Sequence, residues 1–304
     1  MGWELVAGEL RKKIRGEIRL NESLKNHTTW KIGGPADLLV MPAVLDDVPV
    51  LLDFAWKKGL PLRVLGNGSN ILVSDRGVRG LVLKLSGKPS AIRIQGEQMT
   101  VDAGTMLPHA ARKACFYGLT GLESMVGIPG TVGGALVMNA GANGHGMDRV
   151  VKSLELLHLD GTYERLTASE LAFGYRTSSL QDKPLVVLRA VLQLSRGNPS
   201  WIKKEMEKNL QWRRERQPLN WPSAGSVFIN PKGHAAGYLI EASGGKGLRR
   251  GGAQVSEKHA NFIINLGQAT ARDVLCLIDE IKELVFRFCG IELKTEIRFF
   301  GEEM

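Results

Sequence analysis

Two glycine-rich segments are the strongest candidates for chemistry in this sequence. One is Gly66-Asn67-Gly68-Ser69-Asn70, and the other runs from Gly127 to Ala135 with four glycines and one proline. Glycine lets backbone N–H groups approach an anion because no Cβ stands in the way. Both segments therefore fit contact with a phosphate or pyrophosphate group.

Neither segment matches an established nucleotide fingerprint. Gly66-x-Gly68 is followed by Ile71 where the third glycine of GxGxxG would stand, and no GxxxxGK[ST] sequence is present. The alternative is that both segments are tight turns between strands. The residues by themselves thus predict a pyrophosphate or dinucleotide site and leave that alternative open.

Polar residues in the second half of the chain are candidates for a reactive site. Residues 291–300 alternate between apolar and polar types, which predicts a strand with Glu296 and Arg298 on one face. Such a face lines a cleft or faces solvent. Ser226, in a small-residue segment, could donate a proton, and Arg176 carries a cation beside an aromatic residue. A turn serine and a packing arginine are the ordinary alternatives.

The charge balance favours small anionic ligands. The 304 residues include 40 basic and 31 acidic side chains, for a net charge of +9. A basic protein favours nucleic acid, a membrane surface or a phosphorylated small molecule. The basic residues are spread along the chain without a nucleic-acid motif, so the phosphorylated small molecule is favoured. The basic glycine loop 244–252 either receives phosphate or forms a flexible hairpin.

Metal, disulfide and membrane classes have little support. The three cysteines and the histidines lack metal-ligand spacing, which predicts no metal site and reduced thiols in the core. The first residues contain no apolar run of the signal-peptide kind. No stretch reaches the roughly 18 apolar residues of a membrane span. We therefore expect a cytoplasmic protein.

The elements that must hold these residues alternate between helix and strand. Periodicity and turn residues predict them over the following segments: a helix over 1–20, a turn and strand over 26–40, a helix over 46–59, strands at 62–65, 71–73, 78–85 and 91–101, a helix over 107–117, strands over 150–195 with a hairpin turn at Asp160-Gly161, and helices over 201–216 and 270–290. The second of these last helices begins with a capping-box pattern at Thr270 and Asp273. Gly197-Asn198-Pro199 is the candidate linker.

Taken together, these segments resemble one family. Asn26–Trp30 and Gly33–Asp37 are similar to the opening motif of UDP-N-acetylenolpyruvoylglucosamine reductases, and the two glycine-rich segments are similar to its flavin-binding loops. Tyr175-Arg176, Ala224–Pro231 and Glu296–Phe299 are similar to its catalytic segments. The motifs follow the family's order and span nearly the whole chain.

The resemblance implies an α+β fold. A vanillyl-alcohol-oxidase (PCMH)-type FAD-binding domain in two subdomains would precede a C-terminal α+β substrate-binding domain. The expected boundaries are 1–77, with an N-terminal helix, then 78–197 and 198–304. The short segment 174–181 lacks the tyrosine loop that one branch of the family inserts, so the chain resembles the shorter, second type.

The resemblance also implies a reaction. It is the NADPH-dependent, FAD-mediated reduction of UDP-N-acetylglucosamine enolpyruvate to UDP-N-acetylmuramate, a precursor of peptidoglycan. NADPH would first reduce non-covalently bound FAD, and the terminal enolpyruvyl carbon would then receive hydride. By resemblance, Arg176 and Glu296 orient or polarise the carboxylate, and Ser226 protonates the middle carbon. Glu296 would have to be protonated or hydrogen-bonded there, because two bare anions repel.

Binding residues follow from the same resemblance. The cofactor set is Gly66, Asn67, Gly68, Ser69, Asn70, Gly127, Ile128, Pro129, Gly130, Thr131, Gly133, Gly134, Asn139 and Gly141. The substrate set is Arg213, Asn230, Tyr238, Lys246, Arg249, His259 and Arg298. We expect a monomer whose partners are a UDP-sugar and NADPH, with no metal, nucleic acid or membrane, acting in cell wall biogenesis, cell shape, the cell cycle and cell division.

Two alternatives come from other classes. One is another FAD-dependent oxidoreductase of the same fold, such as an oxidase of alcohols or hydroxy acids. Such enzymes often hold flavin covalently through histidine, and neither glycine-rich segment contains histidine. The other is a non-enzymatic nucleotide- or RNA-binding module, which the charge permits but no aromatic-basic signature supports.

Overall fold

The computed structural model describes residues 2–302, and within them the chain forms two compact units. The first unit comprises the residues up to Asn21, Asp37–Asn67 and Gly80–Gln211. The second comprises Glu22–Ala36, Gly68–Arg79 and the residues from Trp212 onward. Met1, in the predicted helix 1–20, and residues 303 and 304, in the predicted domain 198–304, lie outside the described range.

Seven α-helices lie within residues 2–302. They are α1 (Trp3–Arg11), α2 (Asp47–Lys57), α3 (Leu107–Phe116), α4 (Val132–Val137), α5 (Pro199–Arg216), α6 (Ala236–Ala242) and α7 (Ala271–Cys289). The helices predicted over 46–59, 107–117, 201–216 and 270–290 are confirmed. Short 3-10 turns lie at Leu24–His27, Glu123–Met125, Met147–Arg149 and Ala168–Leu171.

The strands of the same range are mostly short. They are β1 (Gly16–Ser23), β2 (Pro35–Pro42), β3 (Leu62–Leu65), β4 (Ile71–Val73), β5 (Val78–Lys84), β6 (Ile92–Gln95), β7 (Gln98–Asp102), β8 (Leu119–Thr120), β9 (Gly141–Ala142), β10 (His145–Gly146), β11 (Val151–His158), β12 (Tyr163–Thr167), β13 (Leu185–Gln193), β14 (Ser195–Arg196), β15 (Arg249–Arg250), β16 (Ala253–Val255), β17 (Ile263–Asn265) and β18 (Arg298–Phe300). Helices and sheets thus occur together, as an α+β fold requires.

The expected helix over 1–20 is wrong beyond α1. Strand β1 begins at Gly16, whose φ of 122° is incompatible with a helix. A Cβ at Gly16 would lie 2.2 Å from the carbonyl oxygen of Met41, so this close backbone approach requires glycine. The chain therefore leaves the helix before Gly16 and becomes extended.

A five-stranded antiparallel sheet organises the larger core of the first unit. Its order is β12-β11-β13-β7-β6, and Leu157 opposite Tyr163 closes the predicted hairpin at Asp160-Gly161. The single strand predicted over 91–101 is wrong, because Gly96 turns with φ of 62° and separates β6 from β7. Buried aliphatic residues of α3 and α4 belong to the same core as this sheet. A second sheet has the order β1-β2-β5-β3.

The core of the second unit lies beneath α6 and α7. Val274, Leu277, Ile278 and Ile281 of α7 are buried, which confirms the predicted apolar stripe. Both predicted ends of α7 are also confirmed. Thr270 and Asp273 form the capping box at its start, and Gly290 takes a left-handed conformation with φ of 71° at its end.

The strand predicted over 291–300 is wrong for its first seven residues. Only Arg298–Phe300 is a strand, and it pairs in parallel with β4. The preceding segment instead bonds to Val227–Ile229, with an isolated bridge between Phe228 and Thr295. Because the segment changes partner, its alternation breaks: Phe299 is 41% exposed, whereas Phe300 is buried.

The cysteines are free thiols, but two of them lie outside the core. Cys115 is half-buried, and its pKa is raised by burial first and by the nearby Glu123 carboxylate second. Cys276 and Cys289 are exposed, so the expectation of core thiols is wrong for both. The reason is that both lie outside the buried stripe of α7.

Candidate functional site

In the first unit, the two glycine-rich segments meet at Gly66 and Asn67. The Asn67 amide donates to the carbonyl oxygen of Pro129, and the Ser86 hydroxyl donates to Asn67 Oδ1 at 3.2 Å. A Cβ at Gly66 would lie 2.8 Å from Thr131 Oγ1. Bare backbone therefore faces the second segment, and a side chain at position 66 would fill the cradle between them.

Gly133 and Gly134 of the second glycine-rich segment lie in the first turn of α4. Thr131 Oγ1 caps α4 by accepting from the Gly134 amide at 3.2 Å. The amides of Val132 and Gly133 donate to Thr105 and Ala103. A Cβ at Gly133 would lie 2.9 Å from the Ala103 side chain. The amides of residues 132–134 thus serve the protein's own hydrogen bonds, and Gly133 is required for packing.

Asn139 and Gly141, two residues of the predicted cofactor set, contact the backbone of neighbouring segments. Asn139, with φ of 41°, donates from its amide to Gly174 O at 2.9 Å and accepts from the Asp148 amide at 3.0 Å. Gly141 pairs with Gly146 in the β9–β10 hairpin. A Cβ at Gly141 would lie 2.3 Å from the His145 carbonyl oxygen. Both residues fix the course of the chain.

Arg176 also lies in the first unit, in a strained tight turn. Its φ is 58°, a left-handed conformation that costs a non-glycine residue about 1–2 kcal/mol. The turn is held by paired backbone bonds between Gly174 and Thr177 and by the Gln181 amide, which donates to Arg176 O at 2.9 Å. The guanidinium lies 5.2 Å from the centre of the Tyr175 ring. Such strain clusters at functional sites.

In the second unit, Asn70 connects the first glycine-rich segment with the C-terminal segment. Its side-chain amide donates to Glu296 O at 3.1 Å, and its carbonyl oxygen accepts from the Arg298 amide at 2.9 Å. Gly68 has φ of 66°, and a Cβ there would lie 2.4 Å from His27 O. Ser69 lies between them and is half-buried. Gly68–Asn70 therefore lies with two of the candidate polar residues.

Ser226 and Glu296 lie on two bonded segments of the second unit. The Glu296 amide donates to Val227 O at 2.8 Å, and the Ile229 amide donates to Lys294 O at 2.9 Å. Ser226 directly precedes Val227, so the structure brings Ser226, Glu296 and Arg298 into one neighbourhood. Ser226 and Glu296 are both half-buried, as residues that must meet a ligand would be.

Asn261 is a residue of this neighbourhood that sequence reasoning missed. Its side chain bonds both the N–H and the C=O of Phe228, each at 2.8 Å. It is only 3% exposed. No spacing in the sequence distinguishes it from other asparagines; its signal is a buried amide bonded to the segment that carries Ser226.

Four residues of the predicted substrate set surround α6. Asn230 Oδ1 accepts from the Ala236 amide at 3.0 Å, and Tyr238 is 71% exposed. Lys246 pairs with Glu241 at 2.8 Å. His259 lies against Gly237, where a Cβ would approach His259 Cε1 to 3.1 Å. The structure therefore brings Asn230, Tyr238, Lys246 and His259 together around one short helix.

Burial favours the neutral form of His259. It lowers the pKa of the imidazole, because desolvation penalises the charged ring. Nδ1 accepts from the Asn261 amide at 3.2 Å, which leaves Nε2 to carry the proton in the neutral ring. The Phe262 ring lies 4.9 Å away, centre to centre. His259 therefore offers a ligand one N–H donor.

Arg213 and Arg249 lie on two other elements, α5 and β15. Burial lowers the pKa of Arg213, although a guanidinium stays charged in proteins. Within residues 2–302, no carboxylate forms an ion pair with Arg213. Arg249 is exposed on the β15–β16 hairpin, where Nε donates to Gly251 O at 3.0 Å. Of the two, Arg213 is the cation whose surroundings suit a bound anion.

Comparisons with known proteins identify the family. A family model described as "FAD binding domain" matches residues 36–167, and one described as "UDP-N-acetylenolpyruvoylglucosamine reductase, C-terminal domain" matches residues 217–300. The reductase of Moorella thermoacetica is 50% identical over 98% of each chain, and that of Desulforamulus reducens is 45% identical over 98% of each. The chain belongs to the UDP-N-acetylenolpyruvoylglucosamine reductase family.

A solved reductase structure agrees with this assignment. The crystal structure of UDP-N-acetylenolpyruvylglucosamine reductase from Thermus caldophilus has a TM-score of 0.81 and 38% identity, and the match covers 94% of this chain and 99% of that one. The predicted FAD-binding domain with a C-terminal α+β domain is thereby confirmed. Like other members of the reductase family, the chain is an FAD-dependent oxidoreductase.

The first unit supplies a structural test of the FAD assignment. The cradle between Gly66 and Thr131 falls inside the segment that matches the FAD-binding model. Its walls are backbone and small polar groups, which suit a pyrophosphate. In the described part of the chain, no cluster of His, Cys, Asp or Glu could hold a metal ion, and no helix is long and apolar enough to cross a membrane.

Proposed function

We propose that this reductase converts UDP-N-acetylglucosamine enolpyruvate to UDP-N-acetylmuramate, with NADPH as the reductant. The observation that carries the proposal is the backbone bond between Glu296 and Val227, which joins the segment that carries a carboxyl group to the segment that carries the Ser226 hydroxyl. One is suited to the substrate carboxylate and the other to proton transfer. Family membership supplies the substrate class.

The cofactor residues of the proposal are those named from the sequence. Gly66, Asn67, Gly127, Gly130 and Thr131 would hold the FAD pyrophosphate through backbone amides and the Asn67 side chain. The Ile128 amide donates to Met125 O and Pro129 has no N–H, so these two residues would shape the loop. When bound, FAD supplies the hydride that NADPH delivers and the substrate accepts. Gly133, Asn139 and Gly141 would act indirectly, because their close packing and hydrogen bonds hold the loops in place.

The chemical roles fall to three residues. Hydride addition at the terminal enolpyruvyl carbon leaves negative charge delocalised onto the carboxylate, and the Arg176 guanidinium would stabilise that charge. Glu296 would contribute in its protonated form, by donating a hydrogen bond. Ser226 would give its proton to the middle carbon and regain one from solvent. A serine hydroxyl is a weak acid, so the strongly basic enolate must drive that transfer.

The substrate residues of the proposal have distinct physical roles. Arg213 is a half-buried cation and would pair with a phosphate. Lys246 and Asn230, beside α6, would bind the remaining diphosphate and ribose oxygens. Tyr238 is exposed and free to contact the nucleotide, and His259 would donate from Nε2. Arg249 and Arg298 complete the proposed set.

The broader setting is also proposed. The domain boundaries 1–77, 78–197 and 198–304, a monomeric state and a cytoplasmic location stay predictions. So does the absence of nucleic-acid and membrane partners. The product would serve cell wall biogenesis and, through it, cell shape, the cell cycle and cell division.

An anaerobic absorbance titration tests the reaction. NADPH is added to the FAD-loaded protein until the flavin band bleaches, and UDP-N-acetylglucosamine enolpyruvate follows. Recovery of the oxidised spectrum is expected. A flavin that bleaches without recovering would point to the alternative, an oxidoreductase with another substrate. A protein that takes up no FAD would contradict the proposal entirely.

A further inference from the structure

The peptide after Ser226 is held on one side by a single buried residue. Asn261 donates from Nδ2 to Phe228 O and accepts at Oδ1 from Phe228 N, each at 2.8 Å. Its own carbonyl oxygen accepts from the Val227 amide at 2.9 Å. Three hydrogen bonds therefore fix two successive residues, and the buried side chain has no water to replace them.

The C-terminal segment forms backbone contacts with Val227 and Phe228 as well. Val227 O accepts from the Glu296 amide at 2.8 Å, and Phe228 forms an isolated bridge with Thr295. Val227 and Phe228 thus lie between Asn261 and Glu296. A shift of Val227 and Phe228 would therefore move the adjacent Ser226 relative to Glu296.

The residue before Ser226 is a glycine in a left-handed conformation. Gly225 has φ of 78°, and a Cβ there would meet no atom within 4 Å. Gly225 therefore contributes no side-chain packing that would fix the neighbouring Ser226. The constraint comes from the following side, where Asn261 holds Val227 and Phe228.

We propose that Asn261 is a positioning residue for Ser226. It holds the Val227–Phe228 peptide so that the hydroxyl of Ser226 keeps one orientation for proton transfer. The inference rests on the proposed function of Ser226. An error near 1 Å in such a group costs a reaction roughly 100-fold, which sets the expected size of the effect.

Asn261→Ser tests the inference in the FAD-loaded full-length protein. We expect NADPH to bleach the flavin at the unaltered rate, and UDP-N-acetylglucosamine enolpyruvate to restore the spectrum roughly 100-fold more slowly. Asn265→Ser is the matched control. Asn265 is equally buried, and its side chain bonds Trp30 O and the amides of Gly267 and Ala269 and makes none of these bonds to the Val227–Phe228 peptide. It should lose stability without the selective loss of flavin reoxidation.

A double-mutant cycle separates positioning from general structural damage. If Asn261 acts through Ser226, Asn261→Ser should cause no further slowing in a Ser226→Ala background. Additive slowing, or equal slowing of both half-reactions, would overturn the inference. If the Asn261→Ser variant does not retain FAD, Asn261→Asp replaces it in the double-mutant cycle with Ser226→Ala. Aspartate keeps the shape of the side chain and the oxygen that accepts from the Phe228 amide.

The wild-type titration distinguishes failure of the inference from failure of the proposed function. A wild-type protein whose flavin is not reoxidised by the enolpyruvyl sugar contradicts the function. A wild-type protein that turns over, beside an Asn261→Ser variant with an unaltered reoxidation rate, contradicts the positioning role alone.

Discussion

The main-chain amide of Glu296 donates a hydrogen bond of 2.8 Å to the carbonyl oxygen of Val227. This bond joins two segments that are 69 residues apart in the sequence, by subtraction of their numbers. It places Glu296 beside the residue that follows Ser226. One backbone bond therefore joins the segments that carry Glu296, the proposed hydrogen-bond donor to the substrate carboxylate, and Ser226, the proposed proton donor. Substitution of each residue separates the two roles.

Ser226→Ala should leave reduction of the flavin by NADPH intact and slow its reoxidation by the enolpyruvyl sugar. Loss of a general acid costs about 100- to 10,000-fold, and the effect should fall wholly on the second half-reaction. Stopped-flow absorbance of the flavin band measures both steps. Ser223→Ala is the control, since Ser223 is bonded through its carbonyl oxygen to Thr29. Near-normal reoxidation in Ser226→Ala would remove Ser226 from the mechanism.

Glu296→Ala should slow flavin reoxidation roughly 100-fold, whereas Glu296→Gln should slow it less. The reason is that an amide still donates a hydrogen bond to the substrate carboxylate without adding negative charge. Single-turnover reoxidation of the two variants gives the comparison. The exposed Glu292 provides the control substitution Glu292→Gln. Equal rates for the two Glu296 variants would argue against a donor role.

Gly66→Ala should weaken FAD binding. The added methyl would lie 2.8 Å from Thr131 Oγ1, the atom that caps α4, so one of the two glycine-rich segments must move. Equilibrium titration of the apoprotein with FAD, followed by flavin fluorescence, measures the loss. Gly8→Ala, in α1 with no atom near its Cβ position, is the control and should stabilise the protein by about 0.5–1 kcal/mol. Unaltered FAD affinity in Gly66→Ala would contradict the proposed cradle.

Asp75→Ala should lower the free energy of unfolding by about 1–2 kcal/mol. The Asp75 carboxylate accepts from the amides of Ala271 and Arg272 at 2.8 and 3.1 Å, at the positive end of the α7 dipole. Urea unfolding followed by circular dichroism measures the change. Asp279→Ala, on the exposed side of the same helix, should have little effect. Equal stability losses would show that Asp75 does not act as a cap.

His259 should make the free energy of unfolding depend on pH. Burial lowers its pKa in the folded protein, so the unfolded chain binds more protons below the ordinary value of 6.5. Its contribution is complete above that value and is lost as pH falls toward the folded-state pKa. Urea unfolding of wild type and His259→Gln from pH 8 to pH 5 measures the difference. A wild-type advantage that grows as pH falls would contradict the pKa direction.

Local sequence patterns predicted the elements whose conformation depends on residues close to them in the chain. The apolar stripe and capping box of α7, the strands at 62–65 and 71–73, and the hairpin at Asp160-Gly161 all follow from side-chain period and turn chemistry. Motif order also identified the family correctly. These features could be predicted because each depends on residues close together in the chain.

Contacts between distant segments decided the rest. Residues 291–297 have the alternation of a strand, yet the backbone of Lys294 and Glu296 bonds to Val227–Ile229, because tertiary proximity decides the hydrogen-bonding partner. Asn261, Asp75 and Asn70 acquire their roles in the same way, from segments remote in the sequence. The sequence by itself determined most of the helices and strands, the FAD-binding domain and the family. Only the tertiary structure decided which buried amides and carboxylates hold the segments that carry Ser226 and Glu296, since hydrogen-bond geometry is absent from residue spacing.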